Sequence, residues 1–344
     1  MLILLILWLT LIFLGISKND SAQSPFSKEQ ATALRGICAV EIMLGHIGLA
    51  TGSVVLYPNK KAGILFVGIF FALSGYGVVY STAHKEDYLR NFLAVRLVRM
   101  LLPVYFIKLI MMGSEYYVGR CLGRTYAGIS CEEFFFRHNW YVWEQLAFYL
   151  IYWLAYKILP KYAEIIVGMV SLAFIAAAFM AGMDNPWYGS SLCFVLGMYY
   201  YRFEKSRCDT IIIGRRKNFF YSRVMYYIVI AAAMFVMAIA IVAYLFLGNE
   251  SILGNPVARN TASILFCVVI IMLLSKYKIG NAASRFLGKC SYEIFLLHPY
   301  LLVILQQFSF VSIVWFGILT VILSIVLAYV VHWGLERCLM RLCG

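Results

Sequence analysis

Two ionisable residues in an apolar segment near the start of the chain are spaced in a way that suits chemistry on a long anionic molecule. Arg35 precedes His46 by eleven positions, and eleven residues of an α-helix turn through about 1100°, or three turns plus about 20°. Both side chains therefore share one helix face, about 16 Å apart along the axis. A guanidinium binds phosphates and an imidazole moves protons near neutral pH. The pair suits a coenzyme A thioester that enters from the side of Arg35 and reaches His46 near the middle of the membrane.

Both residues also have simpler explanations. An arginine at the cytoplasmic mouth of a span satisfies the positive-inside rule, and a histidine inside a span commonly hydrogen-bonds a neighbouring helix. Spacing alone leaves these alternatives open for Arg35 and His46. His298, near the middle of a later span, likewise either bonds across helices or contacts substrate.

A third group of polar residues stands at the outer end of another predicted span. It comprises His138, Trp140, Glu144 and Gln145. Aromatic rings beside hydrogen-bonding groups suit the binding of a sugar. An interfacial aromatic belt explains the aromatic residues equally well.

The elements that position these residues are membrane helices. Hydrophobic residues make up 63% of the 344 and charged residues 13%, which is too little charge to cover a water-soluble surface. A helix needs roughly 20 apolar residues to span the hydrocarbon core. We therefore expect an all-α polytopic membrane helix bundle with ten core transmembrane helices plus one N-terminal helix. The predicted segments are 1–16, 36–56, 62–82, 97–113, 140–158, 163–183, 187–203, 224–247, 259–275, 291–308 and 311–333.

The distribution of charge predicts the orientation. A net charge of +13 would favour nucleic acid in a soluble protein, but in a membrane protein the side on which basic residues fall matters more, and we expect no nucleic-acid partner. If 36–56 starts in the cytoplasm, most of the 29 basic residues are cytoplasmic. The prediction is a multi-pass protein of the plasma membrane with a cytoplasmic C-terminus. The basic loop 202–223 is expected to contact lipid head groups.

The chain divides into an N-terminal hydrophobic segment with a short linker, 1–30, and one membrane domain, 31–340. Segment 1–16 lacks the basic n-region and a clear cleavage site of a secretory signal and is followed by Lys18 and Lys28, which predicts an uncleaved helix with its N-terminus outside. An interfacial or removed segment is the alternative.

The nine cysteines have no metal-ligand spacing, and we predict no metal site. Most of them are expected to be small apolar filler. Cys121 and Cys131 lie in the outer loop 114–139, where a disulfide could persist; whether they pair is left open.

Several segments together resemble the acyltransferase-3 family of integral membrane acyltransferases. Arg35 and His46 match the family's Arg-x10-His motif in its first core span. The other matching segments, in family order, are Phe70–Tyr76, Tyr88–Tyr105 with Arg96 and Arg99, Ser291–His298 and Glu336–Arg337. The resemblance runs from about residue 31 to 340. One match departs from the pattern, because Gln145 stands where the family has an acid and Glu144 precedes it.

This resemblance implies transfer of an acyl group, most often acetyl, from cytoplasmic acyl-CoA to a hydroxyl of an envelope carbohydrate on the outer side. His46 is then the general base or direct catalyst, and Arg35 supports the donor. Arg96 and Arg99 bind donor phosphates, unless they only set the topology. The acceptor side is assigned to Trp140, Glu144, Gln145 and His298. Acyl-CoA is a substrate rather than a bound cofactor, membrane lipids are the other expected partners, and the oligomeric state is not predicted.

Other readings remain. Eleven spans and outer aromatic residues would also suit a transporter or flippase of glycans or lipids, although neither repeats nor paired broken helices stand out. A third possibility is a family member that has lost its activity and serves as an assembly partner. Direct transfer to the acceptor and an acyl-histidine relay are both compatible with the sequence.

Overall fold

The long apolar runs of the sequence form helices, because a backbone surrounded by lipid has to satisfy its own hydrogen bonds. The computed structural model describes residues 1–19, 24–123, 135, 137–212, 223–247, 251–308 and 312–343. Its helices are α1 (Leu2–Phe13), α2 (Lys28–Thr51), α3 (Tyr57–His84), α4 (Phe92–Cys121), α5 (Trp140–Ile158), α6 (Ala163–Met180), α7 (Leu192–Ile212), α8 (Arg223–Leu247), α9 (Ala258–Lys276), α10 (Ala282–Lys289), α11 (Ser291–Gln306) and α12 (Ile313–Cys343). Two short strands, β1 (Ser17–Lys18) and β2 (Tyr277–Lys278), pair antiparallel.

The all-α membrane class is confirmed, and each predicted segment overlaps a helix. Within the described residues, six helical stretches are long and apolar enough to cross a membrane. They are Lys28–Thr51, Ala62–His84, Pro160–Met180, Met225–Tyr244, Asn255–Lys276 and Ile313–Leu339. The count of ten crossings stays a prediction. Helix α1 is about 18 Å long at 1.5 Å per residue, short of the roughly 30 Å hydrocarbon core.

Helix α2 lies at the centre of the bundle and packs against α3, α10 and α11. Its contact with α10 is backbone to backbone, because both helices present glycines there. A Cβ on Gly288 would overlap the carbonyl oxygen of Thr32, and one on Gly36 would overlap that of Ser284. Small residues allow such close approach in membrane bundles. The position of Arg35, next to Gly36, is fixed as a result.

The α3–α7 contact uses the same device. A Cβ on Gly75 would overlap the carbonyl oxygen of Phe194, and one on Gly197 would overlap that of Ala72. This reciprocal pair holds α3 and α7 in van der Waals contact without large side chains between them.

The N-terminal segment packs onto this bundle. Trp8 of α1 donates its indole N–H to Oε1 of Glu41, 2.8 Å away, and the amide of Asn59 donates to the other carboxylate oxygen. Glu41 is thereby satisfied on the side of α2 that faces away from His46, as the 140° turn over five residues requires.

The predicted limits of the second segment, 36–56, were wrong in one respect that matters for the site. The helix begins at Lys28, eight residues earlier, because two polar turns precede the apolar run, and it ends at Thr51. His46 therefore lies five residues from the Thr51 end of α2, and not near the middle of the helix. Arg35 lies seven residues from the Lys28 end.

Candidate functional site

His46 and His298 form a hydrogen-bonded pair across two helices. Nδ1 of His46 on α2 lies 2.6 Å from Nε2 of His298 on α11, and the rings stack with centroids 4.9 Å apart. Nδ1 of His298 lies 2.9 Å from the carbonyl oxygen of Ile294. Pro299 follows His298 and has no amide hydrogen for the carbonyl of Phe295, four residues back, and the His298 ring also interacts with that carbonyl. The sequence His298-Pro299 thus supplies acceptors for the buried ring.

These contacts fix the tautomers of both rings when they are neutral, the state that burial favours because a buried cation is costly. A carbonyl oxygen only accepts, so Nδ1 of His298 carries the hydrogen and its Nε2 accepts. Nδ1 of His46 must then donate to it. The remaining nitrogen of His46, Nε2, keeps a free lone pair and can take a proton.

Exposure separates Arg35 and His46 from the rest of α2. Arg35 and His46 are exposed, whereas all the remaining residues from Ala33 to Gly48 are buried. Dense protein nevertheless surrounds both side chains, so their open surface faces space within the bundle. The motif residues are therefore the two points at which this stretch of α2 meets that internal space.

The guanidinium of Arg35 is placed to bind an anion. Its Nε donates to the carbonyl oxygen of Ala31 at 3.3 Å, and its terminal nitrogens bond to no other described residue. It lies within electrostatic range of Tyr141, Tyr149 and Arg96. Two cations facing one space, with phenolic hydroxyls beside them, make a site that phosphate groups would satisfy.

Arg96 of α4 is held from three sides, unlike Arg99. One terminal nitrogen donates to the hydroxyl of Tyr88 at 2.7 Å, and the guanidinium lies over the rings of Tyr149 at 5.0 Å and Phe92 at 5.6 Å. Arg99 is exposed and makes no hydrogen bond or ion pair with another described residue. The structure thus holds Arg96 within electrostatic range of Arg35, whereas Arg99 has no such contacts among the described residues.

The predicted acceptor residues of α5 point in two directions. Gln145 is buried and its Oε1 accepts from the hydroxyl of Tyr141 at 3.5 Å, while its amide nitrogen has no partner. The ring of Trp140 packs edge-on against Tyr141, 6.2 Å between centroids. Glu144 turns toward Ser191, the residue before α7, whose hydroxyl donates to one carboxylate oxygen; the other oxygen has no partner. The neutral amide, and not the carboxylate, faces the same side as Tyr141.

His138 has surroundings that the sequence did not indicate. Its ring lies edge-on to Tyr300, 5.2 Å between centroids, and it is close enough to His46 to interact electrostatically. The carbonyl oxygen of the preceding residue, Arg137, accepts from Nζ of Lys108 at 3.2 Å. The only signal in the sequence was its position beside Trp140, which said nothing of contacts with α4 and α11.

Two predictions fall wholly or partly outside the described residues. Cys131, the predicted partner of Cys121, is one, so that disulfide stays a prediction. The basic loop 202–223 is the other, because residues 213–222 lie outside the described ranges. Among the described residues, no group of three histidine, cysteine or acidic side chains is arranged to hold a metal ion.

Comparison with known proteins gives one match. The model of the acyltransferase-3 family, described as an acyltransferase domain, matches residues 30–333. No curated protein and no solved structure matches the chain.

Proposed function

This chain belongs to the acyltransferase-3 family, and from that premise we propose that it transfers an acyl group, acetyl as the first candidate, from coenzyme A to a hydroxyl of an envelope carbohydrate. Membership covers acyl transfer by a membrane protein; the donor, the acceptor and the direction are our proposal. The observation that carries it is the exposure of Arg35 and His46 alone on an otherwise buried stretch of α2.

In the proposed mechanism the donor enters at the Lys28 end of α2. Arg35 and Arg96 bind its phosphates, with Arg99 at the entrance, and its pantetheine arm runs along α2 so that the thioester lies beside His46. A carrier with charged groups at one end and its reactive group at the other matches the separation of about 16 Å that eleven helical residues give.

His46 then moves one proton. Its Nε2 takes the hydrogen of the acceptor hydroxyl while the hydroxyl oxygen attacks the thioester carbonyl. The tetrahedral intermediate collapses, the carbon–sulfur bond breaks, and the imidazolium returns the proton to the departing thiolate. Ester and thiol are formed with no net gain or loss of protons. His298 holds the imidazole in the required tautomer throughout, as a positioning residue.

The orientation of the site follows from the basic residues. The excess of Lys and Arg places the Lys28 end of α2 in the cytoplasm under the positive-inside rule, and with it the C-terminus. His46 then lies in the outer half of the plasma membrane, where a carbohydrate arrives from outside. Trp140 and Gln145 are proposed to contact it. Glu144 faces Ser191, so its contact with the acceptor stays a prediction.

The decisive experiment uses purified protein in lipid nanodiscs with radiolabelled acetyl-CoA, with and without envelope glycans of the host. Thiol release and label transfer are followed for wild type, for His46→Ala and for the control His84→Ala, an exposed histidine at the end of α3 that is remote from His46. We expect His46→Ala alone to lose both signals. If wild type neither binds nor consumes the donor with any acceptor, the proposal fails and a glycan or lipid transporter becomes the better reading.

A further inference from the structure

The turn before α5 is held rigidly in a conformation that is unusual for its residue. His138 has φ 61°, in the left-handed region that residues other than glycine rarely adopt. Residues in this conformation cluster at functional sites. The carbonyl oxygen of Arg137 accepts from Lys108 on α4 and from the hydroxyl of Tyr300 on α11, at 3.2 and 3.5 Å. The Arg137 guanidinium makes a two-point ion pair with Glu115. Two helices therefore maintain the turn.

The side chain that this turn presents lacks a partner. Nε2 of His138 is buried and has no hydrogen bond, which is unfavourable for a polar atom. Burial, together with repulsion from Arg137, His46 and Lys108, lowers the pKa of His138 to about 4. The ring is thus neutral near pH 7 and can donate or accept one hydrogen bond without a charge.

The location of this ring relates it to the pair described above. His138 interacts electrostatically with both His46 and His298, and it precedes α5, at the end of the bundle opposite Arg35. A hydroxyl that approaches His46 from that end would pass His138. Tyr300 is buried and packs edge-on against the His138 ring.

We propose that His138 is an acceptor-binding residue, whose imidazole hydrogen-bonds a hydroxyl of a neutral sugar and holds it beside His46. The inference rests on the proposed function. The sugar supplies the hydrogen bond that Nε2 lacks, and the fixed left-handed turn holds the imidazole in one position before α5. A neutral imidazole selects a hydroxyl over a carboxylate or phosphate, which a charged ring would favour.

The test separates binding of the acceptor from folding and from donor chemistry. His138→Gly removes the ring but adopts φ 61° without strain, and His138→Asn keeps a polar group in a residue that tolerates this conformation. The matched control is Asp87→Gly, a second residue at positive φ (52°), in the loop between α3 and α4 at the other end of the bundle. Kinetics are measured in nanodiscs with acetyl-CoA and a mixture of methyl glycosides as the acceptor.

We expect His138→Gly to raise the KM for the glycosides at least tenfold, with the KM for acetyl-CoA unchanged and His138→Asn between it and wild type. Unchanged glycoside KM in His138→Gly would overturn the inference. So would equal effects of Asp87→Gly and His138→Gly, or a wild type that only hydrolyses acetyl-CoA and transfers nothing to glycosides. A wild type that does not cleave acetyl-CoA at all would instead refute the proposed function.

Discussion

Replacing His298 by leucine would test the tautomer argument directly. Leucine fills a similar volume in a fully buried position but accepts no hydrogen bond. Nδ1–H of His46 then has no acceptor, both tautomers of the ring become accessible, and the ring can turn. In part of the population the nitrogen that faces the acceptor hydroxyl carries a hydrogen and cannot act as a base.

The size of the effect follows from the bond that is lost. Leaving a buried donor unpaired costs about 1–3 kcal/mol, and each 1.4 kcal/mol is about tenfold in rate. We therefore expect His298→Leu to lower kcat by about 5- to 150-fold. His298→Gln places an acceptor oxygen about where Nε2 of His298 lies, so its kcat should fall less than about tenfold.

The assay is steady-state thiol release from acetyl-CoA in nanodiscs, at saturating acceptor, across a range of pH. A positioning role predicts a lower kcat with an unchanged KM for the donor, because Arg35 and Arg96 are untouched. Size-exclusion profiles and thermal melting exclude variants that misfold. If well-folded His298→Leu retained a kcat within twofold of wild type, the tautomer assignment would be wrong and the contact between the rings would be only packing.

Three further results are expected. Arg35→Lys, which keeps the charge but loses the planar fork that matches phosphate, should raise the KM for acetyl-CoA by about 10-fold or more, the value of one charged hydrogen bond, as measured by donor titration; an unchanged KM would argue against phosphate binding there. Gly197→Val should abolish recovery of monodisperse protein, because even a Cβ overlaps the backbone of α3, whereas Gly63→Ala, where a Cβ meets nothing within 4 Å, should purify normally. The pKa of His138 lies near 4 in the folded protein, against an ordinary 6.5, so the unfolded state binds the proton first as pH falls, and the free energy of unfolding should decrease between pH 6.5 and pH 4. Over this range the melting temperature in detergent should fall more for wild type than for His138→Asn. Equal decreases in the two proteins would refute the lowered pKa of His138.

Local geometry was predictable from sequence wherever one helix decides it. The shared face of Arg35 and His46 follows from 100° per residue, and the same turn placed Glu41 away from the imidazole. The start of α2 was not predictable, because hydropathy follows apolar residues and its first two turns, from Lys28, are polar. That error placed His46 at the middle of the predicted segment, whereas it lies five residues from the Thr51 end of α2.

Contacts between distant segments were beyond the sequence. His46 and His298 are separated by 252 positions, and each has the ordinary appearance of a histidine that bonds a neighbouring helix; they are in fact each other's partner. The left-handed backbone of His138 is also invisible in the sequence, because histidine has no intrinsic preference strong enough to require it. It arises from bonds that α4 and α11 make to the preceding carbonyl.

Gln145 is another residue whose contacts the sequence did not show. The resemblance to the family pattern placed Gln145 where an acid is expected, with Glu144 one position earlier, but it did not show what either side chain contacts. In the structure Gln145 takes the position beside Tyr141, while Glu144 is turned about 100° away and accepts from Ser191. The carboxylate of Glu144 therefore does not occupy the position beside Tyr141, where the structure has the amide of Gln145.

The positions of Arg35 and His46 on one rigid helix favour direct transfer over an acyl-histidine relay. A relay is needed when the donor cannot reach the acceptor, so its carrier would be expected near the donor entrance. His46 instead lies toward the opposite end of α2, and in the proposed mechanism a thioester on a long arm reaches it while the phosphates stay at Arg35. In that mechanism the acceptor meets the acyl group beside His46, which only moves a proton. Withholding the acceptor should therefore leave no label from radioactive acetyl-CoA on rapidly quenched wild-type protein; labelled His46 would establish the relay.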